Sequence, residues 1–191
     1  MERISEGGEM NELLEIMRGR RSVLRFKDDP VPEEDLEKIL EAGRWAPSYA
    51  NAQPWKFIVG RKKETRGALG RMVERVLVCR PGRMALSSAG LGEAPVAIVV
   101  AVDPARDPLH YLEAGAAAAQ NMALMAHALG YATFWAGVAG RGEVEREIKK
   151  ILGIPRGMRV VAVLPVGKPA YQPEPGARLP LKELVVEERF A

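Results

Sequence analysis

Two apolar runs constrain this chain more than any other feature. APVAIVVAV (94–102) and RVVAVLPVG (159–167) are nearly unbroken stretches of Val, Ala, Ile and Leu. A strand with one wet face alternates apolar and polar residues, whereas an unbroken run of this length needs cover on both faces. The helical segments around them can supply that cover. Asn11 can N-cap a first helix carrying Leu13, Leu14, Ile16 and Met17, with Gly19 placed to stop it and residues 1–10 as a frayed start. Pro32 suits a first helical position, Glu33, Glu34 and Asp35 favour the positive end of the dipole, and Leu36, Ile39 and Leu40 form a buried stripe closed by Gly43 and Pro47.

Further along, KFIVG reads as a short strand and 63–78 as a helix. DPLHYLEAGAAAAQNMALMAHAL (107–129) is apolar nearly all round, which predicts a central buried helix with Gly115, Ala118, Ala119, Met122 and Ala126 on a close-packing face. YATFWAG reads as a strand leading into a loop, EVEREIKKIL as an amphipathic helix capped by Gly153, and the terminal LVVEE as strand-like. Strands alternating with helices predict a mixed α/β or α+β sheet with helices on its faces.

Composition narrows the function classes. At 191 residues the length fits one domain, and one cysteine, Cys79, rules out an intrachain disulfide framework and fits a reducing compartment. No charged-then-apolar leader and no apolar run near eighteen residues is read, so the expectation is a cytoplasmic protein. The net charge of +3 is uneven, because residues 61–83 carry eight Lys and Arg against Glu64 and Glu74. Such a stretch can attract nucleotides or nucleic acid, although a solvated helix face is the plainer reading.

Dinucleotide-binding and phosphate-loop glycine patterns are absent, as is a hydrolase nucleophile elbow. Two histidines and one cysteine do not make a zinc site without carboxylates, so no metal is expected. His127, on the apolar helix, reads as a packed core residue. Any chemistry is then expected to come from an organic cofactor.

Three ordered stretches point to which one. RRSVLRF (20–26), PSYANAQPWKFIV (47–59), and the pair FWAG (134–137) with GARLPL (176–181) together resemble the nitroreductase family of FMN-dependent oxidoreductases, over the chain from about Asn11 to Phe190. The resemblance implies an α+β fold with a central mixed or antiparallel sheet flanked by helices. It also implies a single domain over 1–191, flexible at 1–10, whose C-terminal arm (168–191) is exchanged across a homodimer. Arg20 and Arg178 would hold the FMN phosphate, with Arg21 and Ser22 nearby, a task suited to the guanidinium fork. Ser48, Tyr49, Ala50 and Asn51 would reach the flavin from the other subunit, with Pro47 and Gln53 beside them in the cofactor site. Trp135, Ala136 and Gly137 would line the flavin N5 edge, where Gly137 leaves room for close approach.

Leu24 departs from the family pattern, standing where a basic residue near the flavin pyrimidine is usual, with Arg25 one residue later. Gly176 likewise replaces a second phosphate-binding lysine of some members. The implied activity is transfer of hydride from NADH or NADPH to flavin N5 and then to an acceptor such as a nitroaromatic or quinone. Reductive dehalogenation or flavin breakdown on the same fold stand as alternatives, as does a non-enzymatic nucleotide- or nucleic-acid-binding domain.

Overall fold

The computed structural model describes residues 8–78 and 90–189. In chain order they form α1 (Gly8–Gly19), α2 (Glu33–Arg44), β1 (Trp55–Gly60), α3 (Lys63–Val78), β2 (Val96–Val102), α4 (Tyr111–Ala128), β3 (Ala132–Thr133), β4 (Ala136–Gly137), α5 (Gly142–Leu152) and β5 (Arg159–Gly167). The sheet runs β1-β2-β5-β3, with β4 also paired to β5, and all of these pairings are antiparallel.

Both apolar runs are covered on two faces, as their composition requires. All seven residues of β2 are buried. Val96, Ile98, Val100 and Val102 pack with Leu36 and Ile39 of α2 and Ala118, Ala119 and Met122 of α4. Ala97, Val99 and Ala101 point the other way, toward Leu69 and Val73 of α3 and Val144 and Ile148 of α5. The register of β5 against β2 shifts between Val100 and Ala101, so Val161 and Ala162 both face the α2/α4 layer. The helix α4 approaches this layer closely: a Cβ on Gly115 would lie 2.6 Å from Val161 Cγ2 and 2.9 Å from Val102 Cγ1. Glycine is required there by contact, not by backbone angle.

Four sequence expectations change. The first helix is already formed at Gly8, the first described residue, so Asn11 lies inside it and is not its cap; Glu9 and Met10 are adequate helix formers and carry it upstream of Asn11. The helix expected from Asp107 begins at Tyr111, because the Asp107 carboxylate accepts from the backbone N–H of His110 (2.8 Å) and Leu109 (3.3 Å) and holds a turn instead. YATFWAG is two short strands separated by Phe134 and Trp135. Pro165 of β5 stands opposite Phe134 and has no N–H to donate, so the ladder lapses to one long contact, Phe134 N–H to Pro165 O at 3.4 Å. LVVEE forms no strand in this chain, since no neighbouring backbone pairs with it, and Leu184, Val185 and Val186 stay exposed.

The basic stretch serves largely as struts. Arg61 pairs with Glu33, Arg75 with Glu143, and Arg66 donates to the carbonyls of Glu93 (3.3 Å) and Ala94 (2.6 Å), fixing α3 to its surroundings. Cys79, Arg80 and Arg83 lie outside the described residues.

One buried charge ties α5 to the sheet. The Glu145 carboxylate, 4% exposed, accepts from Arg159 Nε (2.9 Å) and the Val160 N–H (3.0 Å), and Lys149 Nζ lies 3.2 Å away. Burial alone would raise its pKa; the hydrogen bonds from Arg159, Val160 and Lys149 outweigh that and hold it below the ordinary value. A carboxyl depressed in the folded state contributes stability above its unfolded pKa and loses it as pH falls through the folded one. Glu145→Ala, which orphans the Val160 N–H, is expected to cost about 3 kcal/mol in urea unfolding at pH 7. The gap from wild type should shrink steadily below about pH 4, the acidic side of a glutamate's ordinary pKa.

Candidate functional site

The segment after α1 is fixed by backbone on both sides. Ser22 bridges Thr133, the Val23 N–H donates to Thr133 O (3.0 Å), Lys27 N–H to Lys168 O (2.9 Å), and Ala170 N–H to Arg25 O (3.0 Å). Val23 and Phe26 are buried and anchor it. Their burial leaves Arg20 and Arg21 at the margin, where three guanidiniums converge. Arg20 is half-buried, and its pKa is lowered first by that burial, then by Arg178 from the far end of the chain, then by Arg21. Next to them lies His127, whose pKa is lowered by burial and then by Arg20 and Arg21. Its ring packs on α1's last residue, with Nε2 only 2.5 Å from where a Gly19 Cβ would stand.

Among the described residues, the charges that lower the pKa values of Arg20 and His127 are those of neighbouring cations. Mutual repulsion of this kind is relieved by an anion. Among the described residues, Arg178 Nη1 reaches only the nearby carbonyls of Ala177 (3.1 Å) and Gly176 (3.4 Å), while Arg21 donates through Nη1 to the carbonyls of Arg18 (2.5 Å) and Arg20 (3.0 Å) and leaves its buried Nε without a partner. Leu24 is half-buried, and its N–H faces the Tyr171 hydroxyl at 3.4 Å. Arg25 packs its stem along Gly90, where a Cβ would be 2.9 Å from Arg25 Cγ.

Beyond Thr133, Trp135 is partly buried against the α2/α4 layer, Ala136 is buried and Gly137 is exposed. A Cβ on Gly137 would meet nothing closer than Trp135 Nε1 at 3.9 Å, and its φ is not positive. Neither packing nor backbone geometry within the chain calls for glycine there. The space over Gly137 is open in this chain.

The loop at 47–53 is strained and exposed. Ala50 (φ 47°), Asn51 (φ 54°) and Gln53 (φ 46°) all occupy the left-handed region without being glycine. Each such residue costs on the order of 1 kcal/mol or more. Several bonds hold the path: Asn51 N–H to Ser48 O (3.1 Å), Ala52 N–H to Tyr49 O (2.9 Å), Gln53 N–H to Ser48 Oγ (3.0 Å) and Arg106 Nε to Ala52 O (3.0 Å). Pro54 and Trp55 are buried, with Trp55 stacked on Phe57 at 6.4 Å, so the loop is anchored in its own chain. Pro47, Tyr49, Ala50, Asn51 and Gln53 remain exposed, and Ser48 is half-buried.

The chain thus brings together Arg20, Arg21 and Arg178, with Ser22 tied to Thr133 just before Trp135, Ala136 and Gly137. It does not bring the loop to them. The loop enters the sheet at Trp55, beside Val102 and Arg159, whereas Ser22 is bridged at the Thr133–Val166 end. Seven residues of β5 separate those ends, about 23 Å at strand rise. Sequence reasoning missed His127, which borders the cationic cluster and is only partly buried; the one signal was an ionisable side chain on an apolar helix.

The chain is similar to known proteins in sequence and in fold. An Archaeoglobus fulgidus protein carrying a provisional NADH dehydrogenase/NAD(P)H nitroreductase name is 37% identical over 163 residues, 84% of this chain and 87% of its own. The iodotyrosine deiodinase of Thermotoga neapolitana is 27% identical, covering 93% and 97% of the two chains. A Desulfovibrio desulfuricans protein solved in complex with FMN superposes with a TM-score of 0.72 at 31% identity, covering 94% of this chain and 98% of that one. With residues 17–168 matching the family model as well, the chain belongs to the Nitroreductase family.

Proposed function

We propose that this protein is an FMN-dependent NAD(P)H oxidoreductase, a single-domain chain that works as a homodimer with each flavin site shared between two copies. The observation that carries this reading is the convergence of Arg20, Arg21 and Arg178 with an unpartnered, buried Arg21 Nε. A phosphate monoester dianion matches that donor set in charge and in fork geometry. The open backbone at exposed Gly137 suits the edge of a flat ring system approaching closely.

FMN held there would supply two-electron redox chemistry between NADH or NADPH and an acceptor such as a nitroaromatic or quinone. The chain's own groups have the remaining tasks. Arg20 and Arg178 hold the phosphate, Ala136 and Gly137 present backbone to the ring edge, and Trp135 supports that segment from the core. Ser48 and Asn51, on the pre-strained loop, offer hydrogen bonds to the flavin of the partner subunit, since the same chain's cluster is some seven strand residues away. The exposed arm beyond Lys168, with Leu179, Leu181, Leu184, Val185 and Val186 all open, is suited to lie across that partner, where its end can pair as a strand. Leu24 itself brings no cation to the pyrimidine side, and Arg25, one residue later, packs its Cγ along Gly90.

The deiodinase relative supports a second reading, reductive dehalogenation on the same flavin, separable by halide release from an iodinated phenol under reducing conditions.

The purified protein is expected to be yellow, to release FMN on denaturation and to be bleached by NADH or NADPH; repeated failure to take up FMN ends the proposal. Replacing Arg20 and Arg178 together by Ala should weaken FMN binding by about a hundredfold or more, read by flavin fluorescence titration. Gly137→Ala makes a sharper case. Apoprotein stability should stay within about 0.5 kcal/mol while FMN affinity falls about tenfold, because the added methyl meets ligand and not protein.

A further inference from the structure

The strained loop also faces the start of α4, whose His110 and Glu113 the flavin reading does not use. Pro47, Ser48 and Tyr49 face His110, Glu113 and Ala117 across an open recess of ≈ 410 Å³. The Tyr49 and His110 rings meet at 5.2 Å with planes tilted by 46°. Glu113 Oε1 lies 3.9 Å from His110 Nδ1. His110 stands on a clamped turn: Asp107, 2% exposed, accepts its N–H at 2.8 Å and that of Leu109 at 3.3 Å. The backbone of His110 is thus held by a buried carboxylate, which fixes where the side chain starts, while the side chain itself stays 48% exposed.

Each wall selects for something. Pro47, Ala114 and Ala117 are small or flat and leave room for a planar ring. Tyr49, 63% exposed, presents an aromatic face at the mouth. An imidazole carries at least one N–H donor in either charge state, so His110 can donate to an oxygen substituent. Glu113, with a side chain 70% exposed, puts a negative charge beside that donor and opposes a carboxylated ligand.

We infer that this recess is an acceptor subsite for neutral planar aromatics bearing a hydrogen-bond-accepting oxygen, a nitro group or quinone carbonyl, with His110 as the positioning donor and Glu113 as the residue that disfavours aromatic carboxylates. The inference rests on the proposed function, because that reading is what sets Pro47–Gln53 beside the partner's flavin. A bare structural buttress would need Tyr49 packed on His110, but it would not discriminate by ligand charge.

The protein has only two histidines, so His110 and His127 give two separable imidazole signals by NMR, assigned with His110→Gln. Nitrobenzene titrated into the oxidised FMN-loaded protein, with no nicotinamide donor present, should shift the His110 signal and leave that of His127 in place. 4-Nitrobenzoate should bind about fivefold more weakly than nitrobenzene, and Glu113→Gln should reduce that ratio to about twofold or less, the scale of one exposed charge. In turnover, His110→Ala should raise KM for nitrobenzene by about threefold to tenfold with kcat changed less than KM, as loss of a single hydrogen bond and contact would. Shifts confined to His127, or a nitrobenzene-to-nitrobenzoate ratio that Glu113→Gln leaves unmoved, would overturn the subsite while the yellow, donor-bleached protein kept the oxidoreductase reading intact. A wild-type protein that never carries FMN would remove both together.

Discussion

The doubly buried pair of β2 and β5 is the constraint from which the other features follow. With β2 buried at every position and β5 at every one but Arg159, neither strand has a face free for an ionisable group. Charged and polar chemistry is displaced to the ends and margins of the sheet. At one end Arg20 and Arg21 emerge beside Thr133; at the other the 47–53 loop turns into Trp55. The same constraint shapes the strip between them. Pro165, fitted into a buried strand without its N–H, interrupts the pairing of β3 and β4 with β5 at Phe134 and Trp135. A continuous edge strand would have extended the sheet there, and the break sets Ala136 and exposed Gly137 apart as a short separate piece.

Both margins carry costs that folding alone does not repay. Three guanidiniums and an imidazole crowd together, with Arg20 losing basicity to burial and to its neighbours. Three non-glycine residues of four sit in the left-handed region, an expense on the order of several kcal/mol. The surroundings hold each in place: Val23 and Phe26 anchor the cationic segment, while Pro54, Trp55 and Arg106 fix the loop. Strain and repulsion maintained by good packing are the signature of groups prearranged for a ligand. The two costs lie at opposite ends of one sheet, and the proposed site shared between copies would account for both with one ligand.

Much of this was legible in the residues. The unbroken Val/Ala/Ile runs dictate strands covered twice, and the alanine-rich helix with Gly115 dictates close packing against them; both follow from composition at short range. Arg20 and Arg178 could be paired only through the family resemblance, since 158 residues separate them and no spacing rule connects them. What stayed hidden depends on tertiary pairing. The Asp107 turn competes with helix formation only because that carboxylate is buried against the loop, and the Pro165 break is visible only once its partner is known to be Phe134. His127 was read as core because its helix is apolar, but its position near the end of α4 brings it out beside Gly19 and Arg20. The strand-like LVVEE has the composition of a strand without a neighbour to make it one in this chain.

Shared sites can be tested by complementation between defective copies. One subunit would carry Arg20→Ala with Arg178→Ala, and the other Asn51→Trp, which sets an indole on the exposed loop where the flavin would lie. Each homodimer should bind little FMN, because both of its sites contain a defect. After unfolding, mixing and refolding together, a mixed dimer has one site free of either change, so bound flavin should recover to about one FMN per mixed dimer, with the native dimer binding two. Recovery at that level is the result expected of a site built across two chains. A mixture that binds no more FMN than the two parents would contradict it, as would a loop variant that binds FMN as tightly as the wild type.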